Sequence, residues 1–329
     1  MKNIKRFLLA SLVVVLVITS LTACSSDGNK PSSEPENTGN DTNGEKITIG
    51  VAQCHMNTPY RVALKSEMEQ TIAEKGLNWE IILTDGQNNS AKQTSDVEDL
   101  IQKGVDLIIM APVQSEPLAP VAKRVMDAGI PLILIDRTIS TEDYTAFVGG
   151  DNVMIGELAA DFIGEKLSGK GNVAMIQGTL GASATNDRYK GFVDTIKEKY
   201  PDIKLISDLT GDYKRDMGMK VMEDLLQANE QIDAVYSHSD NMILGALQAS
   251  DAAGRTEGMI TVSADGQKEA FDKIKEGKLS ASIIYPTGAK EAVEIANKVL
   301  NGEKVDKINL IPVTLVDSEN VDEMYDSGF

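Results

Sequence analysis

Cysteine is nearly missing from this chain of 329 residues: Cys24 and Cys54 are the only two. They could make one disulfide at most. Histidine is as scarce, with His55 and His238 alone. Two imidazoles and a thiolate could in principle hold zinc, but none stands at motif spacing, so no metal and no other cofactor is expected. Positive charge is outnumbered, since 32 Lys and Arg face 50 Asp and Glu for a formal net charge of −18. No basic stripe interrupts that balance, which excludes a nucleic-acid partner. A Gly-x-Ser-x-Gly elbow, a Walker loop and a Gly-x-Gly-x-x-Gly fingerprint are all missing. Gly178 to Ser183 is a glycine-rich turn, too loose for a phosphate cradle. Cys54 and His55 are neighbours in sequence, whereas a nucleophile and its base normally meet from separate elements. No enzyme is expected.

Long apolar runs are lacking too. The one from Phe7 to Ile18 falls short of the ~20 residues a membrane-spanning helix needs. It follows Lys2, Lys5 and Arg6 and precedes Leu21-Thr22-Ala23-Cys24, the pattern of a secretory signal peptide. Leu-x-Ala-Cys resembles the bacterial lipobox, which implies cleavage after residue 23 and lipid on Cys24. That leaves Cys54 without a disulfide partner, so stability must come from a core. After Cys24, residues 25–45 are rich in Ser, Gly, Asn, Pro, Asp and Glu with no large apolar side chain, a composition that cannot order itself, so 24–45 reads as a tether. Removing residues 1–23 takes three positive charges and lowers the net charge from −18 to −21. The remainder is more than one core usually serves, so two domains are expected.

From Ile47 onward, short Ile-, Leu- and Val-rich runs alternate with amphipathic stretches. The runs Ile47–Gln53, Trp79–Leu83, Val105–Met110 and Pro131–Ile135 read as parallel strands covered on both faces. Helices are expected over Arg61–Lys75, Ser90–Gln102 and Glu116–Ala128, closed by Gly76, Gly104 and Gly129. The pattern then restarts. Strands are expected at Asn172–Ile176, Ile203–Ser207, Ala234–Ser237, Met259–Ser263, Ser280–Tyr285 and Ile308–Val316. Helices intervene at Tyr189–Lys199, Arg215–Gln227, Gln267–Lys275 and Lys290–Leu300. Strand and helix in alternation make a doubly wound α/β sheet, here two of them. Gly149 to Asn152 is the candidate pivot. Ligands of open parallel sheets bind beyond the carboxyl ends of the strands. Those ends carry Gln53, Cys54 and His55, then Asp136 and Arg137, then His238, Ser239 and Asp240, then Asp265, then Tyr285. Trp79, inside a strand, is expected in the core.

Seven stretches between Lys46 and Val316 resemble the periplasmic sugar-binding proteins of the ribose and galactose type. They are Asn57-Thr-Pro-Tyr-Arg61, Leu134-Ile-Asp-Arg137, Gly150-Asp-Asn-Val153, Arg188-Tyr-Lys-Gly-Phe192, Asp240-Asn-Met-Ile-Leu-Gly-Ala246, Ala264-Asp-Gly266 and Gly277-Lys-Leu-Ser-Ala281. The resemblance implies two Rossmann-like lobes of periplasmic binding protein type I, joined by three crossovers around a ligand cleft. It implies lobes of 46–150 with 286–313 and of 151–285 with 314–329, hinged at Gly150, Asp151, Pro286 and Thr314. It also implies the pocket. Asp136 and Arg137 would be its paired acid and base, Arg188 a second arginine opening a helix, and Asp265 a second acid. A carboxylate accepts from vicinal hydroxyls while a guanidinium donates in a fixed fork. Tyr60 and Tyr213 would be flat walls for sugar C–H faces, and Tyr285 stands where the family often has glutamine. Gln53, His55 and Ser239, at strand ends, complete the expected ligand contacts. Arg61 replaces an aromatic of the ribose binders, which favours a ligand with more oxygens: a hexose furanose, a sugar acid or another polyol.

The resemblance therefore implies a solute receptor that captures a monosaccharide or related polyol and delivers it to an ABC permease. A lipid anchor with a tether suits a monomer held on the outer face of the cell membrane, and points to a Gram-positive source. The alternative is a sugar sensor feeding a chemoreceptor or sensor kinase. Sugar-responsive repressors share the fold but need a DNA-binding headpiece, and a signal peptide and tether occupy that position.

Overall fold

The computed structural model describes residues 46–329. The signal peptide, Cys24 and the tether read from the sequence lie outside the described residues. The first part runs β1 (Ile47–Gln53), α1 (Pro59–Glu74), β2 (Trp79–Asp85), α2 (Ser90–Lys103), β3 (Leu107–Met110), α3 (Ser115–Asp127), β4 (Leu132–Ile135) and β5 (Ala146–Gly150). The second runs α4 (Asn152–Lys166), β6 (Lys170–Gln177), α5 (Ser183–Lys199), β7 (Asp202–Thr210), α6 (Arg215–Ala228), β8 (Ala234–Ser237), α7 (Asp240–Ala252), β9 (Ile260–Asp265), α8 (Lys268–Lys275) and β10 (Ala281–Ile284). Then come α9 (Ala289–Leu300), β11 (Ile308–Ile311) and β12 (Thr314–Asp317). Local chemistry accounts for the boundaries. Pro59 opens α1, where a missing N–H costs nothing. The Asn89 side chain caps α2, and Gly104 ends it in the left-handed region at φ 67°.

Two six-stranded sheets result, ordered β11-β5-β4-β3-β1-β2 and β12-β10-β9-β8-β6-β7. Every pairing is parallel except β10 with β12. β3 and β4 are buried at every residue, which is why they read as unbroken apolar runs. The chain passes between the sheets three times: from β5 into α4, between β10 and α9, and between β11 and β12. α9 packs on α1 and on β3, β4 and β5, so the chain returns to the first sheet before its last two strands.

Three of these elements, besides the short helical turns at Val321–Met324 and Tyr325–Ser327, were not expected from the sequence. β5 ends in Gly149-Gly150, which looks like a loop. α4 and α7 are apolar on several faces and carry glycines. Those glycines are close-approach points. A Cβ on Gly156 of α4 would lie 2.3 Å from the Arg188 carbonyl oxygen, and one on Gly191 of α5 2.1 Å from that of Val153. α6 and α7 cross as tightly at Gly218 and Gly245. Two expectations need correction. Arg188 does not open its helix, since α5 begins at Ser183 and puts Arg188 in its second turn. The run expected as one strand over Ile308–Val316 is two strands in different sheets, interrupted by Pro312, which cannot donate to a ladder.

Candidate functional site

The carboxyl ends of both sheets face one cavity, whose empty space, counting the part open to solvent, is about 410 Å³. His55, Tyr60, Arg61, Asp136, Arg137, Arg188, Tyr213, Ser239, Asp265 and Tyr285 line it. Ten of the eleven contacts expected from the sequence thus meet on one surface. Gln53 does not: it stands behind Arg61, whose Nη1 donates to its Oε1 at 3.4 Å. His55, two residues past the end of β1, lines the cavity, whereas Gln53, the last residue of β1, braces Arg61 from behind. Thr58, Ala184, Asn241 and Gln267 also line the wall, unanticipated, although Thr58 and Gln267 lie within two residues of Tyr60 and Asp265.

Backbone strain concentrates here. Asp136 sits at φ 66°, Tyr213 at 59° and Asp265 at 133°, conformations that non-glycine residues hold only when their surroundings enforce them. The Asp136 N–H donates to the Val148 carbonyl at 2.9 Å. Past Asp265 the turn is held by Asp240, a fully buried carboxylate at the first position of α7. Its Oδ2 accepts from the N–H groups of Gly266 and Gln267, each at 2.8 Å, and its Oδ1 from the Ser282 hydroxyl at 2.8 Å and from that of Ser263. The positive end of the helix adds to that stabilisation. Gly178 makes room on another side: a Cβ there would lie 2.0 Å from the Tyr213 ring.

Three guanidiniums face two carboxylates, all five residues less than 10% exposed. Arg61 pairs with Asp136, and Arg137 Nε lies 3.5 Å from the same carboxylate. Arg188 donates through Nε to Asn152 Oδ1 at 2.9 Å and through Nη1 to the His238 carbonyl, 3.7 Å from Asp265. Each arginine also lies over a tyrosine ring: Arg61 over Tyr60 at 5.3 Å, Arg137 over Tyr213 at 5.2 Å, Arg188 over Tyr285 at 4.7 Å. The tyrosine hydroxyls bond within the protein, to the Pro286 carbonyl, to Thr185 and to the Asp136 carbonyl. Their rings are left as apolar walls. Arginine, aspartate, histidine, serine, threonine, asparagine and glutamine side chains make up the polar part of the lining.

A family model for the periplasmic binding protein domain matches residues 49–304. The ribose import binding protein RbsB of Bacillus subtilis is 37% identical over 307 residues, 93% of this chain and 97% of its own. Among solved structures, a solute-binding protein of Bacillus halodurans with bound myo-inositol shares 32% identity at a TM-score of 0.81, with 85% of this chain and 98% of that one covered. A fructose-binding periplasmic domain of a hybrid two-component system shares 31% at a TM-score of 0.82, covering 85% and 94%. The chain belongs to the periplasmic binding protein family. Its members are exported solute-binding proteins, not enzymes.

In this binding protein the two lobes touch across the cleft. Asn88 donates to Asp212 at 2.8 Å, Gln114 to the Leu180 carbonyl at 2.9 Å, and the Thr138 N–H to the Ser183 hydroxyl at 2.8 Å. The two site acids are displaced in opposite directions. Burial alone would raise Asp136, but Arg61, Arg137 and Arg188 hold it below the usual carboxylate range. Burial raises Asp265 well above that range; Arg188 offsets part of it, while Asp240 and Asp136 add repulsion. A carboxylate only accepts, whereas a protonated carboxyl can also donate; the site favours the first form at Asp136 and shifts Asp265 toward the second. Burial, with Arg61 and Arg137 adding to it, pushes His55 down to about 3, and burial with Arg188 pushes His238 well below its ordinary value. Both imidazoles are neutral hydrogen-bonding groups. Among the described residues no group of three His, Cys, Asp or Glu side chains is placed to hold a metal ion.

Proposed function

We propose that the chain captures one monosaccharide or related polyol in this cavity and hands it to the membrane subunits of an ABC importer. The observation that carries the reading is the meeting around one cavity of Asp136 and Arg137, which follow β4 of one sheet, with Asp265, the end of β9 of the other, and Arg188 from the second turn of α5. A ligand bridging the pairs stabilises the closed arrangement by its differential affinity for it. The relatives named for ribose, fructose and myo-inositol support the class and leave the individual sugar open. Arg61 favours a ligand with more oxygens than ribose.

Lobes of 46–150 with 286–313 and of 151–285 with 314–329 belong to the same proposal, with pivots at Gly150, Asp151, Pro286 and Thr314. The alternation of the chain between the sheets supports them. Cys24 as lipid anchor, residues 24–45 as tether and a monomer on the outer face of a Gram-positive membrane complete it. Calorimetry and thermal unfolding with D-ribose, D-galactose, D-fructose, D-allose, L-arabinose, xylitol and myo-inositol test the reading. One of them at a hundredfold its Kd should stabilise the chain by about 2.7 kcal/mol, or roughly 4–5 °C in Tm. No response to the whole panel overturns the sugar assignment. The likeness to a two-component domain favours a second reading, a sensor. Deleting the gene would then abolish the transcriptional response to the sugar and leave its uptake intact.

A further inference from the structure

The stretch Gly150-Asp151-Asn152-Val153 crosses from one lobe to the other, and pivoting does not explain its asparagine. Asn152 is the first residue of α4, 6% exposed, and does not line the sugar cavity. Its side chain is nevertheless bonded at both ends. Oδ1 accepts from Arg188 Nε at 2.9 Å, and Nδ2 donates to the Tyr285 hydroxyl at 3.3 Å. That hydroxyl donates in turn to the Asp136 carbonyl at 2.9 Å. The chain Arg188–Asn152–Tyr285–Asp136 is buried throughout and starts and ends on groups that face the cavity. It runs beside two of the three passages between the sheets, the one after β5 and the one after β10.

The residue types fit their places. An amide offers an acceptor to a guanidinium and a donor to a phenol at once, from two separate atoms; a carboxylate offers only the first. Tyr285 is held in register by packing: its ring lies against Gly150, where a Cβ would approach to 2.6 Å, and beneath Arg188 at 4.7 Å. Asp136, at φ 66°, has a strained carbonyl whose direction the Tyr285 hydroxyl fixes.

We propose that Asn152 is a positioning residue for the sugar site. It orients Arg188 and Tyr285 together and, through the Tyr285 hydroxyl, registers the second lobe's arginine against the first lobe's aspartate. The two halves of the site are thereby aligned at the pivot before a ligand bridges them. Tyr285 serves the sugar through its ring and serves the relay through its oxygen. This rests on the reading of the cavity as a sugar site.

The test is a double-mutant cycle in the full chain with Asn152→Ala, Tyr285→Phe and the pair, plus Asn152→Asp. Each is titrated calorimetrically with the panel sugar that wild type binds most tightly, and urea midpoints are taken alongside. Each single change should weaken binding roughly 5- to 50-fold, the range for one buried hydrogen-bond partner left unmade. Asn152→Asp, which keeps the Arg188 bond, should lose less than Asn152→Ala. The pair should lose about as much as the worse single, because both cut the same chain. Unchanged affinities overturn the proposal, and so do losses that multiply in the pair. A lower urea midpoint with unchanged affinity shows a merely structural role and also overturns it. If wild type binds no sugar of the panel, the site reading has failed on its own, and small-angle scattering of the same variants without sugar decides the relay. Asn152→Ala and Tyr285→Phe should each shift the chain toward a larger radius of gyration, the pair no further. Identical scattering from wild type and variants overturns the relay.

Discussion

Asp136→Asn keeps the shape of the site and removes one negative charge, so it isolates what that charge does. Arg137 Nε lies 3.5 Å from the carboxylate, and Arg61 is closer. At an effective dielectric of 20, a pair at 3.5 Å attracts by about 5 kcal/mol. Much of that is offset by the cost of keeping the carboxylate itself dry, which the amide does not bear. Removing one partner of a buried pair costs about 3–5 kcal/mol because the other charge is left uncompensated. Here two guanidiniums lose it together. The same substitution removes an acceptor for vicinal sugar hydroxyls, and hydrogen bonds to charged groups contribute about 1.5–3 kcal/mol each. Urea unfolding should therefore show a loss of a few kcal/mol, and calorimetry a fall in affinity of at least tenfold. Trp79, half-buried at the amino end of β2 and off the cavity wall, reports unfolding rather than ligand. An unfolding midpoint and a sugar affinity both within error of wild type would refute the reasoning, since neither guanidinium would then depend on that carboxylate.

Other outcomes follow from the same geometry. Gly156→Ala puts a methyl 2.3 Å from the Arg188 carbonyl, so α4 and α5 must separate; about 1–3 kcal/mol of stability should be lost, with sugar affinity falling because Arg188 moves. An affinity that holds while stability falls would show the helix pair to be decoupled from the site. Tyr213→Phe removes only the bond to Thr185 and should change affinity less than Tyr213→Ala, which removes the wall; equal losses by calorimetry would contradict this. His55 binds a proton at about 6.5 unfolded and at about 3 folded. The unfolded chain therefore takes up more protons between those values, and stability is lost as pH falls through that window. At pH 5 the loss is about 2 kcal/mol for this group. Asp240 and Asp265, whose folded values are raised, act in the opposite sense. Comparing the pH slope of wild type with that of His55→Gln isolates the histidine, and equal slopes would remove it from the account. Cys24→Ser should move the protein from the membrane fraction to the medium, as detergent phase partition would show.

Much of the site was legible in the sequence because parallel α/β sheets put the residues after each strand on one edge. Knowing that β4 and β9 end at Asp136 and Asp265 is close to knowing where those carboxylates go. Gln53 shows the limit of that rule: it stands at a strand end, yet its side chain accepts from Arg61 and does not line the cavity. Asn152 and Asp240 were legible as motif members but not as parts of a network. Their partners, Arg188 and Tyr285 for one and Ser263, Ser282 and Gln267 for the other, are far along the chain, and only packing brings them together. β5, α4 and α7 were missed for a related reason. Their glycines look like breaks in a pattern, whereas Gly150 of β5 lies against the Tyr285 ring and Gly156 of α4 and Gly245 of α7 are where their helices touch the backbones of α5 and α6.

The central claim is that one ligand is held by both lobes at once. A crystal structure of the chain soaked with the tightest-binding member of the panel tests it most directly. The account predicts a single sugar or polyol ring with Asp136, Arg137, Arg188 and Asp265 all within hydrogen-bond reach, Tyr60 and Tyr213 against its C–H faces, and Asn152 bonded to Arg188 behind it. A ligand seated elsewhere, or one held while Arg188 points to bulk solvent, would contradict it.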